Sequence, residues 1–218
     1  MGSRRGKLVG KVLEAYKKDL KLSSVQISIL CGSLLGDGTL GLGYKASNAN
    51  YKVDHGIPQK EYVFWKYEKF KEWVLTPPKI SFRTNENGEK YKKSFWFRTV
   101  RHPEITFFRN LFYPQGKKIV PKNIEKYLDP LGFAVWIMDD GSFNRGMYDI
   151  STYSFTETEI TLLLQVLKNK FGLVGNYFND RDIGFRMYFP KSQTIKISSL
   201  ISPYVIQTMK YKLPLLTP

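Results

Sequence analysis

The spacing of apolar residues predicts a series of helices and strands whose order occurs twice along the chain. The first copy begins with a basic amphipathic helix over residues 8–20 and an apolar helix over 25–36, which Ser23 or Ser24 can cap. Broken alternation then predicts a strand pair over 39–57. A helix, a hairpin and a short helix complete this copy, over 59–74, 79–101 and 104–111.

The same order of elements starts again near residue 130. An apolar helix over 130–139 precedes strands over 142–153 and a helix over 156–171, in which Thr156 and Glu159 have the spacing of a capping box. Strands over 173–179 and 183–189 and a helix over 192–201 follow. This repeat of element order predicts an α+β fold, a duplication whose halves of about 100 residues share one core. The predicted divisions are a basic N-terminal segment 1–24, a first half 25–115, a linker 116–129 and a second half 130–218.

Both apolar helices end in the dipeptide Asp-Gly, at Asp37 and at Asp140. A carboxylate at the C-terminal end of a helix faces the negative end of the helix dipole, which disfavours it by roughly 0.3–1 kcal/mol. One such dipeptide is typical of a tight turn. Two at equivalent places, 103 residues apart, indicate a common role. A divalent cation held by both carboxylates would remove the penalty.

Small residues suggest how the two carboxylates could meet. Gly32 and Gly36 leave one stripe of the first helix almost without side chains, and Ala134 is small on the second. Helices with such stripes can cross closely, which would bring Asp37 and Asp140 together. Neighbouring carboxylates form an oxygen site suited to Mg²⁺, which beside a phosphodiester activates water and stabilises the leaving oxygen.

Charge and composition narrow the class of protein. The chain has 34 Lys and Arg against 19 Asp and Glu, and the resulting charge of +15 indicates a polyanionic partner, most simply nucleic acid. Hydrophobic residues make up 42%, which argues against disorder. The single cysteine, Cys31, and two histidines exclude an internal disulfide, a cysteine zinc cluster and a histidine-rich metal site. With no apolar leader and no long apolar stretch, we expect a reducing compartment and no membrane partner.

Basic and amide side chains are concentrated in the predicted strands. A two-stranded ribbon fits the DNA major groove, where Arg and Lys read guanine and Asn and Gln read adenine. On straight alternation, Lys90, Lys92, Trp96 and Arg98 share one face of the return strand of the hairpin. The predicted DNA contacts are Lys45, Asn48, Asn50, Lys52, Arg83, Asn85, Lys90, Lys92, Trp96, Arg98, Arg145, Tyr148, Asn176, Asn179, Arg181 and Arg186.

The chain resembles the single-chain, two-motif LAGLIDADG homing endonucleases, in particular those of mitochondrial introns. Residues 30–38 (LCGSLLGDG) and 133–141 (FAVWIMDDG) are similar to the two copies of the family motif. Further similar blocks occur in order at KFKEWVLTPP (69–78), KKIVP (117–121), SFT (154–156) and YKLP (211–214). The resemblance implies two αββαββα halves, with the motif helices at their interface and saddle-shaped antiparallel sheets over DNA.

The resemblance also implies roles for individual residues. Asp37 and Asp140 match the catalytic, metal-binding aspartates, and Lys118 and Lys212 match the basic residues near the scissile phosphates. Gly36 and Asp139 flank the aspartates and are included in the predicted metal site, although Asp139 matches a position that is not a ligand in the family. The implied cofactor is Mg²⁺, with Mn²⁺ or Ca²⁺ able to substitute in binding.

The chain departs from the family pattern in three places. The polar residue that holds water at the end of the second strand is replaced by Asp54 or His55, and the corresponding stretch 151–153 has no acid and no glutamine. Cys31 stands where alanine is usual. The second motif has bulky residues, which predict a wider helix crossing there: Phe133, Val135 and Trp136.

The resulting hypothesis is a monomeric, Mg²⁺-dependent, site-specific endonuclease that cuts both strands of a long asymmetric DNA site and leaves 3′ overhangs. It needs no protein partner, because the pseudo-dimer interface is internal. An organelle or a bacterial or archaeal cytoplasm would suit it equally. The alternatives are a group I intron RNA maturase, a non-cleaving DNA-binding protein on the same scaffold and a basic ribosome-associated protein. The last explains the charge but not the two Asp-Gly helices.

Overall fold

The computed structural model describes residues 10–214, so the predicted helix start at residue 8 and the tail after 214 lie outside the described residues. Within that range the chain forms two compact units. One consists of residues 10–26 and 38–109, and the other of residues 27–37 and 110–214. The chain therefore leaves the second unit after its first helix and returns to it about 70 residues later.

The first unit is built on a four-stranded antiparallel sheet. The strands have the order β1-β2-β4-β3, so that the two hairpins meet along β2 and β4. The face of Tyr51, Val53 and Phe97 is buried, while Lys52 and Arg98 lie on the exposed face. The elements are α1 (Gly10–Lys18), β1 (Thr39–Gly41), β2 (Asn50–Gly56), α3 (Lys60–Lys69), β3 (Lys79–Thr84), β4 (Lys90–Arg98) and most of α4 (Pro103–Phe112).

The second unit has the same arrangement of strands. Its antiparallel sheet has the order β5-β6-β8-β7, and Tyr148, Ile150, Met187 and Phe189 on one face are buried. The elements are α2 (Ser24–Leu35, from residue 27 onward), α5 (Pro130–Asp140), β5 (Gly141–Asn144), β6 (Met147–Ser151), α6 (Glu157–Phe171), β7 (Asn176–Asn179), β8 (Phe185–Phe189) and α7 (Thr194–Ile201).

The order helix, two strands, helix, two strands, helix thus occurs twice, and the α+β prediction is confirmed. The predicted helix over 59–74 is shorter than expected. The α-helix ends at Lys69, and a separate 3₁₀ turn, Lys71–Trp73, follows it. None of the helices within residues 10–214 has both the length and the apolar character that a membrane span requires.

Local hydrogen bonds explain where the long helices begin. Ser23 and Gln26 form a reciprocal capping box, in which the Ser23 hydroxyl accepts from the Gln26 amide and the Gln26 side chain accepts from the Ser23 amide. Thr156 and Glu159 form the predicted capping box of α6 in the same way. That helix ends at Gly172, whose φ of 62° lies in the left-handed region.

A β-bulge corrects the predicted face of one strand. The pairing of β3 with β4 shifts between Ser81 and Phe82, so that Ser81 faces Ser94 whereas Phe82 faces Lys92. The extra residue, Lys93, lines the same groove as Trp96 and Arg98. A bulge resets the alternation of side chains. The prediction that Lys90 and Lys92 simply continue the face of Trp96 and Arg98 is therefore wrong.

The helices α2 and α5 cross with their backbones in contact. A Cβ atom added at Gly32 would lie 2.1 Å from the carbonyl oxygen of Gly132 and 2.9 Å from Val135 Cβ. The prediction of a wider crossing is wrong, because Gly132 provides the contact point. Phe133 instead packs against Phe171 and Phe189.

We expect Gly32→Ala to destabilise the protein, although alanine favours a helix by about 1 kcal/mol over glycine. The added methyl would overlap a backbone oxygen that cannot rotate away. The free energy of unfolding should fall by about 1–3 kcal/mol or more, measured by denaturant titration. The matched control is Gly56→Ala, whose Cβ would lie 3.7 Å from Pro58 Cδ. Equal stability of the two variants would contradict the close crossing.

Candidate metal centre and nucleic-acid interface

The ends of α2 and α5 bring carboxylates together in the second unit. The Asp37 amide donates to Asp139 Oδ2 over 3.3 Å, and carboxylate oxygens of Asp37 and Asp139 lie within 4.8 Å of each other. Gly36 leaves the space for this contact, since a Cβ there would lie 2.5 Å from Asp139 Cβ. Asp139 is buried, whereas Asp37 is exposed.

Asp140 completes an acidic cluster at this point. Burial, and after it the neighbouring carboxylates of Asp37 and Asp139, raise the pKa of Asp140 to about 7 against the opposing effect of Lys118 and Lys212. The cluster therefore disfavours the presence of all its negative charges at once. Such crowding of acids at helix ends is costly in a protein selected for stability alone.

Two lysines hold the carbonyl ends of the helices beside these carboxylates. Lys118 Nζ donates to the Gly36 carbonyl over 2.8 Å. Lys212 Nζ donates to the carbonyls of Met138 over 2.6 Å and Ile137 over 3.2 Å, with the Asp139 carbonyl at 3.4 Å. Burial lowers the pKa of Lys118, while the carboxylates of Asp140, Asp139 and Asp37 act in the opposite direction.

The donor atoms at this point fit a hard divalent cation. They are carboxylate oxygens, together with the backbone carbonyl at Gly36, and Mg²⁺ takes oxygen ligands of this kind. A cation would also offset the repulsion between carboxylates that, together with burial, raises the pKa of Asp140. The predicted grouping of Asp37 and Asp140 with Lys118 and Lys212 is consistent with this geometry.

His55 belongs to the first unit and lies on the core face of β2. It is 5% exposed, and its Nε2 is 3.4 Å from Nζ of Lys66. Lys66, on α3, is itself fully buried, with its ammonium 4.2 Å from the centre of the Tyr62 ring. Sequence reasoning missed Lys66, because its position within the aromatic helix pattern resembles that of a solvated lysine.

The exposed face of the first sheet carries four of the ten DNA contacts predicted in the first unit, namely Lys52, Arg83, Trp96 and Arg98. Lys52 and Arg98 pair across β2 and β4, and Lys52 also bonds Asp54 over 2.8 Å. A groove there is lined by Lys93, Arg83 and Trp96 among others. Further predicted contacts that lie exposed at this sheet or in its loops are Lys45, Lys90 and Lys92.

Two predicted contacts of the first unit make hydrogen bonds within it, and a third is buried. Asn85 closes the hairpin loop, where its carbonyl oxygen accepts from the amides of Asn87 and Glu89. The side chain of Asn48 accepts from the Thr106 hydroxyl. Asn50 is only 7% exposed at the end of β2.

The second sheet presents an arginine and an aspartate on its exposed face. Arg186 on β8 bonds Asp149 on β6 through Nε and Nη2. Asn176 shares this face, because it pairs with Tyr188, which in turn pairs with Asp149. Arg145, Asn179 and Arg181 are exposed at strand ends and turns. Sequence reasoning missed Asp149, although an acidic residue in a strand of a strongly basic chain could have indicated a partner for a neighbouring arginine.

The prediction that Tyr148 contacts DNA is wrong. Its side chain is fully buried, and its hydroxyl lies 3.1 Å from Ser198 Oγ on α7. Tyr148 occupies the core face of β6 because side chains alternate along a strand, and Asp149 takes the exposed face.

Comparison with protein families gives one match over most of the chain. Residues 27–197 match the LAGLIDADG DNA endonuclease family. The matched range includes both sheets and both of the helices that carry the acidic cluster.

Individual relatives cover nearly the whole chain. The DNA endonuclease I-ChuI of Chlamydomonas applanata is 28% identical over 209 residues, which cover 88% of this chain and 96% of the relative. The cytochrome b mRNA maturase bI2 of Debaryomyces hansenii is 31% identical over 196 residues, which cover 88% of this chain and 74% of the relative. The structure of the homing endonuclease I-WcaI bound to its DNA recognition sequence matches with a TM-score of 0.87 at 25% identity, covering 100% of this chain and 96% of the other.

We expect Asp140→Asn to stabilise the metal-free protein at neutral pH. The folded-state pKa of Asp140, about 7, lies above its ordinary value of 3.8, so its contribution to stability is fully present below pH 3.8 and is lost as the pH rises through 7. In EDTA at pH 7.5 the variant should therefore melt at least about 2 °C above the wild type. The difference should vanish at pH 4.

The control for this measurement is Asp19→Asn, which neutralises an exposed carboxylate outside the cluster. It should leave the melting temperature within about 1 °C of the wild type, as surface substitutions usually do. A melting temperature of Asp140→Asn at or below that of the wild type at pH 7.5 would contradict the electrostatic crowding of the cluster.

Proposed function

The chain belongs to the LAGLIDADG DNA endonuclease family, and we propose that it is a homing endonuclease that cuts both strands of one long, asymmetric DNA site. The cut depends on Mg²⁺ and leaves 3′ overhangs. The observation that carries this proposal is the acidic cluster of Asp37, Asp139 and Asp140 beside Lys118 and Lys212. I-ChuI, similar along 96% of its own length, is a DNA endonuclease.

The carboxylates would hold the divalent cation. Asp37 and Asp140 are its ligands in this proposal, and Asp139 and the Gly36 carbonyl lie beside them. When bound, such a cation lowers the pKa of water and stabilises charge on the leaving oxygen of a phosphodiester. The backbone contact at Gly32 fixes the helix ends, so that the ligands are placed before the substrate arrives.

The two lysines supply positive charge where a scissile phosphate would lie. Each ammonium is held by backbone carbonyls at the end of a motif helix, so its position is set by the fold rather than by a flexible surface stem. A fixed cation can stabilise charge that develops on a phosphate during the reaction without reorganising. We also propose that His55 orders water in the reaction.

The exposed faces of the two sheets would bind the duplex. The net charge of +15 provides the salt-dependent attraction to phosphates, and the strand side chains provide contacts to base edges. I-WcaI, whose fold matches along the whole chain, was solved on its DNA recognition sequence. We also propose that the protein acts as a monomer without a protein partner, since the chain carries both copies of the motif.

The first test is cleavage of a plasmid library that contains randomised long inserts, with the cut ends sequenced. We expect double-strand breaks at one sequence with Mg²⁺, none with EDTA, and 3′ overhangs at the mapped ends. Asp37→Asn and Asp140→Asn should each lower the cleavage rate at least about 100-fold. Both variants should still bind the selected site in Ca²⁺. Sequence-specific binding by the wild type without any cut would refute the endonuclease.

A second test separates the lysines from general charge effects. Lys118→Met and Lys212→Met should each slow cleavage at least about 100-fold, with affinity for the site in Ca²⁺ changed less than about tenfold. Their matched controls are the exposed neighbours, Lys117→Met and Lys210→Met. Assays run below the melting temperature of each variant exclude unfolding as the cause. If controls and test variants cleave equally, the lysines only stabilise the helix ends.

One relative favours a second function. The maturase bI2 of Debaryomyces hansenii is 31% identical, so we propose RNA maturase activity as the alternative. A basic sheet surface can bind either duplex DNA or folded RNA. Competition of a group I intron RNA against the selected DNA duplex distinguishes them. Preference for the RNA, together with activity that survives in Asp140→Asn, would favour the maturase.

A further inference from the structure

The exposed face of the second sheet holds one arginine in a fixed orientation. Arg186 bonds Asp149 through Nε over 2.7 Å and through Nη2, and the Tyr153 hydroxyl accepts from Nη1 over 3.1 Å. Ser142 donates to the same Asp149 oxygen over 2.8 Å. These contacts connect β5, β6 and β8, so three strands set the position of one guanidinium.

The guanidinium retains donors for a ligand after these bonds are counted. Arginine has five N–H groups, and three of them make the bonds to Asp149 and Tyr153. A fourth, on Nη2, makes only a 3.4 Å contact with Ser142 Oγ. The fifth is on Nη1, whose distance to Asp180 Oδ2 is 4.0 Å. Weakly bonded hydrogens on both Nη1 and Nη2 are what a pair of parallel hydrogen bonds requires.

The surroundings of Arg186 suit the edge of a base. Arg186 and Asp149 are 27% and 21% exposed, so the pair is partly desolvated but can still be reached. They line a groove of about 580 Å³ together with Phe178, Tyr188 and Asn144. Arg186 is the one cation among the residues that line this groove, whereas Asp149 and Asp180 are acidic, and such a lining disfavours a phosphate.

The carboxylate partner distinguishes Arg186 from a general phosphate contact. An aspartate beside an arginine repels a phosphate group, and it cancels the charge that would attract the DNA backbone at long range. It also fixes the side-chain rotamer, so less entropy is lost when the arginine binds a ligand of matching geometry. In the major groove, the ligand with two parallel acceptors is the O6 and N7 edge of guanine.

We propose that Arg186, positioned by Asp149, reads one guanine in the DNA major groove and thereby determines part of the sequence specificity. This inference rests on the proposed DNA binding, and it adds the base and the residue pair that selects it. Asp149 is a positioning residue here, since it acts through Arg186.

The test uses the full-length protein and a library of randomised DNA duplexes, selected for binding in Ca²⁺. Selected sequences are compared for the wild type, Arg186→Gln, Arg186→Lys and Asp149→Asn. The control is Lys168→Gln, which removes one positive charge from the exposed side of α6. Thermal melting confirms that each variant is folded, and Arg186→Lys keeps the charge if Arg186→Gln does not fold.

We expect the wild type to require guanine at one position that loses its preference in the Arg186 variants, by about 5- to 150-fold. Asp149→Asn should weaken the preference at that same position and at no other. Lys168→Gln should keep every preference while its affinity falls slightly and in a salt-dependent way.

Two results would overturn the inference, and they have different meanings. Uniform loss of affinity in Arg186→Gln, with every base preference retained, means that Arg186 contacts a phosphate or only stabilises the sheet. A wild type that selects no sequence from the duplex library means that the proposed DNA recognition is itself wrong. Sequence selection without Mg²⁺-dependent cleavage leaves the guanine contact intact and rejects only the nuclease.

Discussion

The backbone contact between Gly32 and Gly132 is the constraint on which the candidate site depends. Because no side chain separates α2 from α5 there, the two helices run together to their C-terminal ends. Gly36 continues the same stripe and admits Asp139 against the first helix. A larger residue at either glycine would separate the helix ends and, with them, the carboxylates.

This close approach brings negative charges together, and the lysines of the site offset part of their repulsion. Two negative helix ends and three carboxylates lie together, and both the burial of Asp140 and the repulsion from its neighbours raise its pKa. Lys118 and Lys212 offset part of it by bonding the terminal carbonyls. The proposed role of these carboxylates as metal ligands would explain why the sequence keeps an arrangement that costs stability, since such conflicts between stability and function are common at functional sites.

Much of the fold follows from the sequence, because helix caps, Asp-Gly ends and apolar periods are local signals. Thr156 and Glu159 predict a capping box that forms. The details that could not be predicted depend on contacts between distant residues. The bulge at Lys93 moves the side chains of the preceding residues of β4 to the opposite face of the sheet. The spacing of apolar residues does not predict that Lys66 is buried in an aromatic cluster. The pairing of Asp37 with Asp140 could be predicted from the sequence only because the Asp-Gly ending occurs twice.

The discontinuous path of the chain has a consequence for its synthesis. Residues 27–37 pack within a unit whose remaining parts begin only at residue 110. A ribosome that adds about 5–20 residues per second needs roughly 5–20 s to deliver α5 after α2 has emerged. During that interval the most apolar helix of the nascent polypeptide lacks the surface it later covers. Closing this long loop also slows the search for the native pairing. We therefore expect newly made chains to depend on chaperones that shield α2 until translation has passed residue 140.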